Sequence, residues 1–278
     1  MIRKIKKAFC LKKEETRVKP DYKNWMPKGM VAAGFILTAV LLALFIIFGL
    51  TGIVHGAVKT ILSVVFLAGA VFCFGLSVWM ALMFRAFSYN GKRQMSKRII
   101  EGIADCVKLP SGGAGLDVGC GSGALAIACA KRNPQASFLG IDRWGKEYAS
   151  FSKSLCENNA KAEGISNVSF LQGDAAKLDF PDESFDAVVS NYVYHNIPGD
   201  RQKLLFETLR VLKKGGVFAI HDIFSKGKYG DMQAFLGKLK DMGFEKAELI
   251  DTTDGRFMTK HEAGWMALSG SALLTGRK

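Results

Sequence analysis

The run Leu116-Asp117-Val118-Gly119-Cys120-Gly121-Ser122-Gly123 places three glycines at alternate positions directly after an acid. Before it, Ala114–Val118 is a short apolar run; after it, Ala124–Ala130 is an Ala/Leu/Ile segment. Their pattern predicts a strand that hands over to a helix through the glycines, and therefore an α/β fold. Glycine has no Cβ and tolerates positive φ, so such a turn leaves bare peptide groups beside a helix N-terminus, where a bulky ligand can lie against backbone.

Two ligands compete for this turn. Gly119-x-Gly121-x-x-Ala124 satisfies the loose dinucleotide fingerprint, in which pyrophosphate rests on the helix N-terminus. Asp117 argues otherwise, because a carboxylate there repels a pyrophosphate and attracts a cation. S-adenosylmethionine carries an ammonium and a sulfonium, so charge complementarity favours it. Leu116–Gly123, with its G-x-G-x-G spacing, resembles motif I of the class I SAM-dependent methyltransferases.

The resemblance extends over residues 90–278. Phe138-Leu139-Gly140-Ile141-Asp142 is an apolar run ending in an acid nineteen positions after Gly123, and a carboxylate at the end of the second strand accepts ribose hydroxyls. Phe170–Ala175 is similar to the family's third-strand motif at the adenine edge. Phe185–Asn191 looks like the fourth strand, and Leu209–Ile220, with Lys213–Gly216 as the turn, looks like the following helix and fifth strand. Ala247–Ile250 and Ala272–Gly276 look like the family's closing pair of antiparallel strands. The resemblance implies a Rossmann-like seven-stranded sheet with a terminal antiparallel hairpin. It implies cofactor contacts from Asp117, Gly119, Cys120, Gly121, Gly123, Asp142, Arg143, Trp144, Gly173, Asp174, Ala175 and Asn191.

Methyl transfer needs an acceptor held in line with an already electrophilic carbon, so positioning supplies most of the catalysis. An acceptor that must lose a proton also gains from a base. In open α/β sheets such groups lie beyond the carboxyl ends of the strands, which points to Asn191-Tyr192-Val193-Tyr194-His195-Asn196. His195 and Tyr192 are the catalytic candidates. Tyr194, Asn196, His221, Asp222 and, from a lid-like segment before the core, Tyr89 are candidate substrate contacts. Asn191 lacks the Pro-Pro-aromatic sequel of DNA adenine and glutamine methyltransferases, which argues against amino-group acceptors of that type. Carboxylates are too few to propose a metal site. The six cysteines, Cys10, Cys73, Cys106, Cys120, Cys129 and Cys156, show no paired spacing for zinc or disulfides.

A different object precedes this domain. No formally charged residue occurs from Gly29 to Val58 or from Thr60 to Phe84, and a hydrocarbon core of about 30 Å needs roughly 20 apolar residues as helix. The expected spans are near 30–50 and 60–80, joined by a short loop into a hairpin over 29–84. Residues 1–28 hold ten basic and three acidic residues, 85–98 hold five basic and no acidic, and 99–278 balance at 22 of each. The whole excess of positive charge therefore flanks the apolar runs, the positive-inside pattern. Anionic lipid headgroups, rather than nucleic acid, are its expected counter-ions. A basic leader (1–28), a transmembrane hairpin, a basic juxtamembrane linker (85–98) and a methyltransferase domain (99–278) follow, with both termini and the catalytic domain cytoplasmic. The expected activity is methylation of a small-molecule acceptor, either a lipophilic molecule or a soluble metabolite, and the alternative is a non-catalytic SAM-binding scaffold or sensor in the membrane.

Overall fold

The structure, a computed structural model, describes residues 19–145 and 150–278. Most of the basic leader, with Cys10 and any interfacial arm it forms, lies outside the described residues. The chain divides into two compact units, one of residues 23–98 and one holding residues 99–278 together with the described residues 19–22.

In the smaller unit, helix α1 (Lys28–Phe45) begins after Pro27, whose fixed φ suits a helix start, and ends in one π-helical turn, Ile46–Leu50. Helix α2 (Gly56–Phe87) is longer than the expected 60–80 span, because nothing in its 32 residues breaks a helix until the turn at 88–94. Helix α3 (Met95–Ala104) follows, so only 88–94 of the expected 85–98 linker is non-helical. Small residues set the approach of α1 to α2. A Cβ on Gly34 would collide with Ser77 Oγ, and one on Gly49 would lie 2.8 Å from Ser63 Oγ. Thr38 and Ser77 donate their hydroxyls to Gly34 O (2.9 Å) and Cys73 O (2.6 Å), so neither leaves an unsatisfied group between apolar surfaces. At the other end from the hairpin loop, Asn24 Nδ2 donates to Phe84 O at 2.8 Å and Trp25 packs on Phe87 with ring centres 5.6 Å apart. Leu, Ile, Val and Phe side chains cover the outward faces.

The larger unit is a seven-stranded sheet in the order β3-β2-β1-β4-β5-β7-β6. Its strands are β1 (Ala114–Val118), β2 (Ser137–Asp142), β3 (Val168–Gln172), β4 (Phe185–Asn191), β5 (Leu212–Ile223), β6 (Lys246–Asp251) and β7 (Ser271–Arg277). The first five run parallel, and β7 pairs antiparallel with both β5 and β6. Helices α4 (Ala124–Arg132), α5 (Lys153–Glu163) and α6 (Arg201–Arg210) form the crossovers; α7 (Lys226–Tyr229), α8 (Met232–Asp241) and α9 (Lys260–Trp265) fill the later connections. The near-continuous apolar runs of β1 and β4 fit strands buried on both faces. Leu116, Val118, Val188, Phe218 and Ile220 are at most 1 % exposed, each worth about 1.5–3 kcal/mol of transfer free energy.

Local chemistry explains the boundaries. Asp200 and Asp231 cap α6 and α8 by accepting backbone N–H groups of the first turn, and Thr259 with Glu262 forms a capping box on α9. Lys213–Gly216 is a bulge inside β5 rather than the turn that leads into it. Phe185 pairs with Leu212 while Ala187 already pairs with Val217. Gly215, at φ 75°, takes the left-handed conformation that this excess requires. The last residues before the hairpin belong to the larger unit: Asp21 N donates to Asn159 Oδ1 (2.7 Å) and Tyr22 Oη to Glu163 (3.1 Å).

Gly115 sits in the middle of β1, where a Cβ would collide with the Phe138 ring on β2. Gly115→Ala should lower stability by about 1–3 kcal/mol, read as a reduced thermal midpoint, and an unchanged midpoint would show the two strands to be less tightly apposed.

Candidate active site

The glycine turn closes against the end of β2. Gly119 N and Cys120 N both donate to Ile141 O, at 2.8 and 2.9 Å. Gly119, Gly121 and Gly123 have φ of 75°, 55° and 81°, so all three positions need glycine's freedom. They serve different ends. A Cβ on Gly119 would collide with Val193, and one on Gly123 would lie 3.0 Å from Phe170. At Gly121 it would meet nothing among the described residues closer than Phe151 at 3.7 Å, so of the three glycines Gly121 has the bare face most open to a ligand.

Asp142 ends β2 beside this opening. Its Oδ2 accepts Gly121 N–H at 2.9 Å and its Oδ1 accepts Trp144 N–H at 2.8 Å. Trp144 takes φ 45°, unusual for a bulky residue, and its Nε1 donates to Gly121 O at 3.0 Å. Gly173 N donates to Asp142 O at 3.0 Å, which brings the turn after β3 alongside. Gly121, Asp142, Trp144 and Gly173, far apart in sequence, are thus joined by hydrogen bonds. Arg143 and Asp174 are exposed, Ala175 is buried, and Asp174 Oδ1 is occupied by Ala176 N–H (2.8 Å).

Asp117 differs from the free charge that the sequence suggests. It is 1 % exposed and its Oδ2 accepts Ala126 N–H, in the first turn of α4, at 2.9 Å. Burial raises its pKa to about 8, against the lowering effect of the Ala126 hydrogen bond, and the nearby Asp142 adds to the rise. Burial likewise pushes the Cys120 thiol well up, so it stays protonated, which argues against a nucleophilic role.

A second cluster lies where β4 and β5 end. The Asp222 carboxylate is fully buried. Its Oδ2 accepts from Tyr194 N (2.9 Å) and His195 N (3.3 Å), and its Oδ1 from Ile223 N (2.7 Å) and His195 Nδ1 (2.6 Å). The second ring nitrogen of His195, Nε2, has no partner among the described residues, and the side chain is 15 % exposed. The arrangement can take up a proton at Nε2. Tyr192, at φ 55°, sets its ring edge-on to His195, 5.9 Å between centres. Its hydroxyl donates inward to Ser271 Oγ at 2.7 Å, and Ser271 in turn donates to Leu268 O. Burial raises the Tyr192 phenol above its ordinary value, and its hydroxyl is engaged with Ser271.

Three further candidates belong to the larger unit. His221 is fully buried beneath the site, paired with Asn191 Oδ1 through Nδ1 and with Thr252 Oγ1 through Nε2, both at 2.9 Å. Burial lowers its pKa to about 3, so it is neutral and holds Asn191 in place. Tyr194 is core, hydrogen-bonded to Thr208 at 2.6 Å. Asn196 is exposed and donates to Tyr192 O at 3.4 Å. Tyr89 belongs to the smaller unit, half-buried in the turn between α2 and α3. Val193, Thr252 and Ser271 have no local sequence signal, since their parts arise from contacts across the sheet.

The turn's open face at Gly121, the Asp142 carboxylate and the adjoining Gly173 segment fit an adenosine-bearing cofactor. The Methyltransferase domain family matches residues 109–268, and the chain belongs to that family of SAM-dependent enzymes. A demethylmenaquinone methyltransferase of Geobacillus kaustophilus is 28 % identical over 180 residues, 60 % of this chain and 73 % of that protein. The sterol 24-C-methyltransferase ERG6A of Gibberella zeae is 34 % identical over 129 residues, 46 % of this chain but only 30 % of the relative. Among solved structures, the [4+2]-cyclase SpnF matches 69 % of this chain and 85 % of its own at a TM-score of 0.51 and 24 % identity, a likeness of fold alone. The cofactor is S-adenosylmethionine, which supplies an electrophilic methyl carbon on sulfur.

Asp117 makes the stability of this domain depend on pH. Between the ordinary carboxylate value of 3.8 and the folded value of about 8, only the folded state holds the proton. Stability therefore falls as pH rises through this interval, by at most about 1.4 kcal/mol per pH unit. Asp117→Asn should remove that slope. Thermal midpoints from about pH 5 to about pH 8 test this, and equal slopes in wild type and variant would contradict the buried acid.

Proposed function

We propose that the chain is a membrane-anchored methyltransferase that methylates a lipophilic small molecule, with its catalytic domain on the cytoplasmic side. The observation that carries the anchor is the surface of the hairpin. Its helices span Lys28–Leu50 and Gly56–Phe87, 23 and 32 residues, and only 6 % and 11 % of their most apolar stretches are buried. A soluble protein would cover such surface in its core. Residues 23–98 contain no acid, and their basic residues Lys23, Lys28, Arg85, Lys92, Arg93, Lys97 and Arg98 all flank the open end, with Lys59 alone near the loop. That asymmetry favours a loop outside and a catalytic domain inside. A lipophilic acceptor gives such an anchor a purpose, and the sterol named for one relative is of that kind. Gly121, Asp142, Trp144 and Gly173 are the residues we assign to holding the cofactor.

The full chain should remain in the membrane pellet after alkaline carbonate extraction, and release into the supernatant would remove the anchor. Ile53→Cys in the hairpin loop should react with an impermeant maleimide on intact cells, whereas protection of that thiol until lysis would invert the topology. Asp142→Ala should weaken S-adenosylhomocysteine binding to the full chain by about 1.5–3 kcal/mol, a charge-assisted contact. Calorimetric titration reads this, and unchanged affinity would move the ribose elsewhere.

A further inference from the structure

The His195–Asp222 pair restricts what the acceptor can be. Asp222 is fully buried and held on both oxygens by three backbone N–H groups, so its carboxylate cannot turn away from the imidazole. A carboxylate accepts only, so Nδ1 must carry the proton in the 2.6 Å contact, and the neutral ring then presents an unprotonated Nε2. The ring is fixed from two further sides, by the Tyr192 edge and by its own backbone, whose carbonyl accepts from Lys228 Nζ at 3.2 Å. Val193, two residues before His195, packs on the glycine turn where Gly119 lacks a Cβ. The dyad and the turn therefore share one end of the sheet.

We infer that His195 is the base and Asp222 its positioning residue for an acceptor that surrenders a proton, so the methylated atom is a hydroxyl oxygen or an activated carbon. The inference rests on the methyltransferase activity and is independent of whether the acceptor is lipophilic. In the step, the acceptor's O–H or C–H proton moves to Nε2. The electron pair left behind bonds to the methyl carbon, and the old C–S pair returns to sulfur as a neutral thioether. A neutral amine has a free pair before attack and sheds its proton to water afterwards, and a thiol ionises near neutrality. Neither needs a neutral imidazole whose tautomer is locked by a buried acid.

Two measurements on the full chain in detergent test this. Long-range proton–nitrogen correlation spectra of protein labelled at its four histidines, with His195→Gln assigning the signal, should show the Nδ1–H tautomer for neutral His195 and loss of that preference in Asp222→Asn. A dominant Nε2–H tautomer in the wild type overturns the inference, whatever the acceptor. Turnover is compared for 4-heptylphenol, 4-heptylaniline and 4-heptylbenzenethiol, with phenol as the chain-free control. The phenols should be methylated, and His195→Gln should cut kcat by about 10²-fold or more with little change in KM. Methylation of the aniline or thiol, equal in wild type and His195→Gln and without phenol turnover, overturns it. Equal use of phenol and 4-heptylphenol removes the lipophilic reading and leaves the base intact. If no probe is methylated, the tautomer alone decides.

Discussion

Gly119 carries no Cβ, and Val193 fills the volume where one would lie. Because β1 and β4 are parallel neighbours with Leu116 beside Val188, their carboxyl ends emerge together, and this close approach presses the segment after β4 onto the turn after β1. Ser190 Oγ strengthens the join by donating to Val118 O at 2.8 Å. A side chain at position 119 would push the two segments apart, and with them the glycine turn and the His195 imidazole that follows Val193.

Beneath that surface the site stands on a buried carboxylate and a buried imidazole that are both hydrogen-bonded. A fully buried carboxylate is costly unless hydrogen bonds surround it, and Asp222 has four. Asn191, His221 and Thr252 form a second chain across β4, β5 and the loop after β6, with His221 kept neutral by burial. Such networks fix one arrangement, since moving any member leaves another unpaired in a low dielectric. Tyr192, like Trp144, takes the left-handed conformation; its strain is held by its hydroxyl on Ser271 and by its N–H on His221 O, at 2.7 and 2.8 Å.

The smaller unit follows another logic. Its helices approach through Gly34 and Gly49 against Ser77 and Ser63, and turn their large apolar side chains outward. Small residues inside and large ones outside is the order that suits association in lipid, where burying Leu against Leu gains nothing over burying it against acyl chains.

The residues themselves determined the periodic and compositional features: seven strands with an antiparallel close, the two apolar helices, and the cofactor turn followed nineteen positions later by Asp142. Each rests on local pattern, glycine conformation or charge spacing, which the chain carries wherever it lies. Tertiary structure alone decided what each polar residue does. It buried Asp117, so that its carboxyl holds a proton to about pH 8, and it tied the hydroxyl of Tyr192 inward. It set His221 under the site and placed the Asp222 carboxylate against the His195 ring. It also extended α2 to Phe87 and folded Lys213–Gly216 into β5 as a bulge. These outcomes depend on desolvation and on partners tens of residues away, such as Ser271 for Tyr192 and Thr252 for His221, and neither quantity exists until the sheet has assembled.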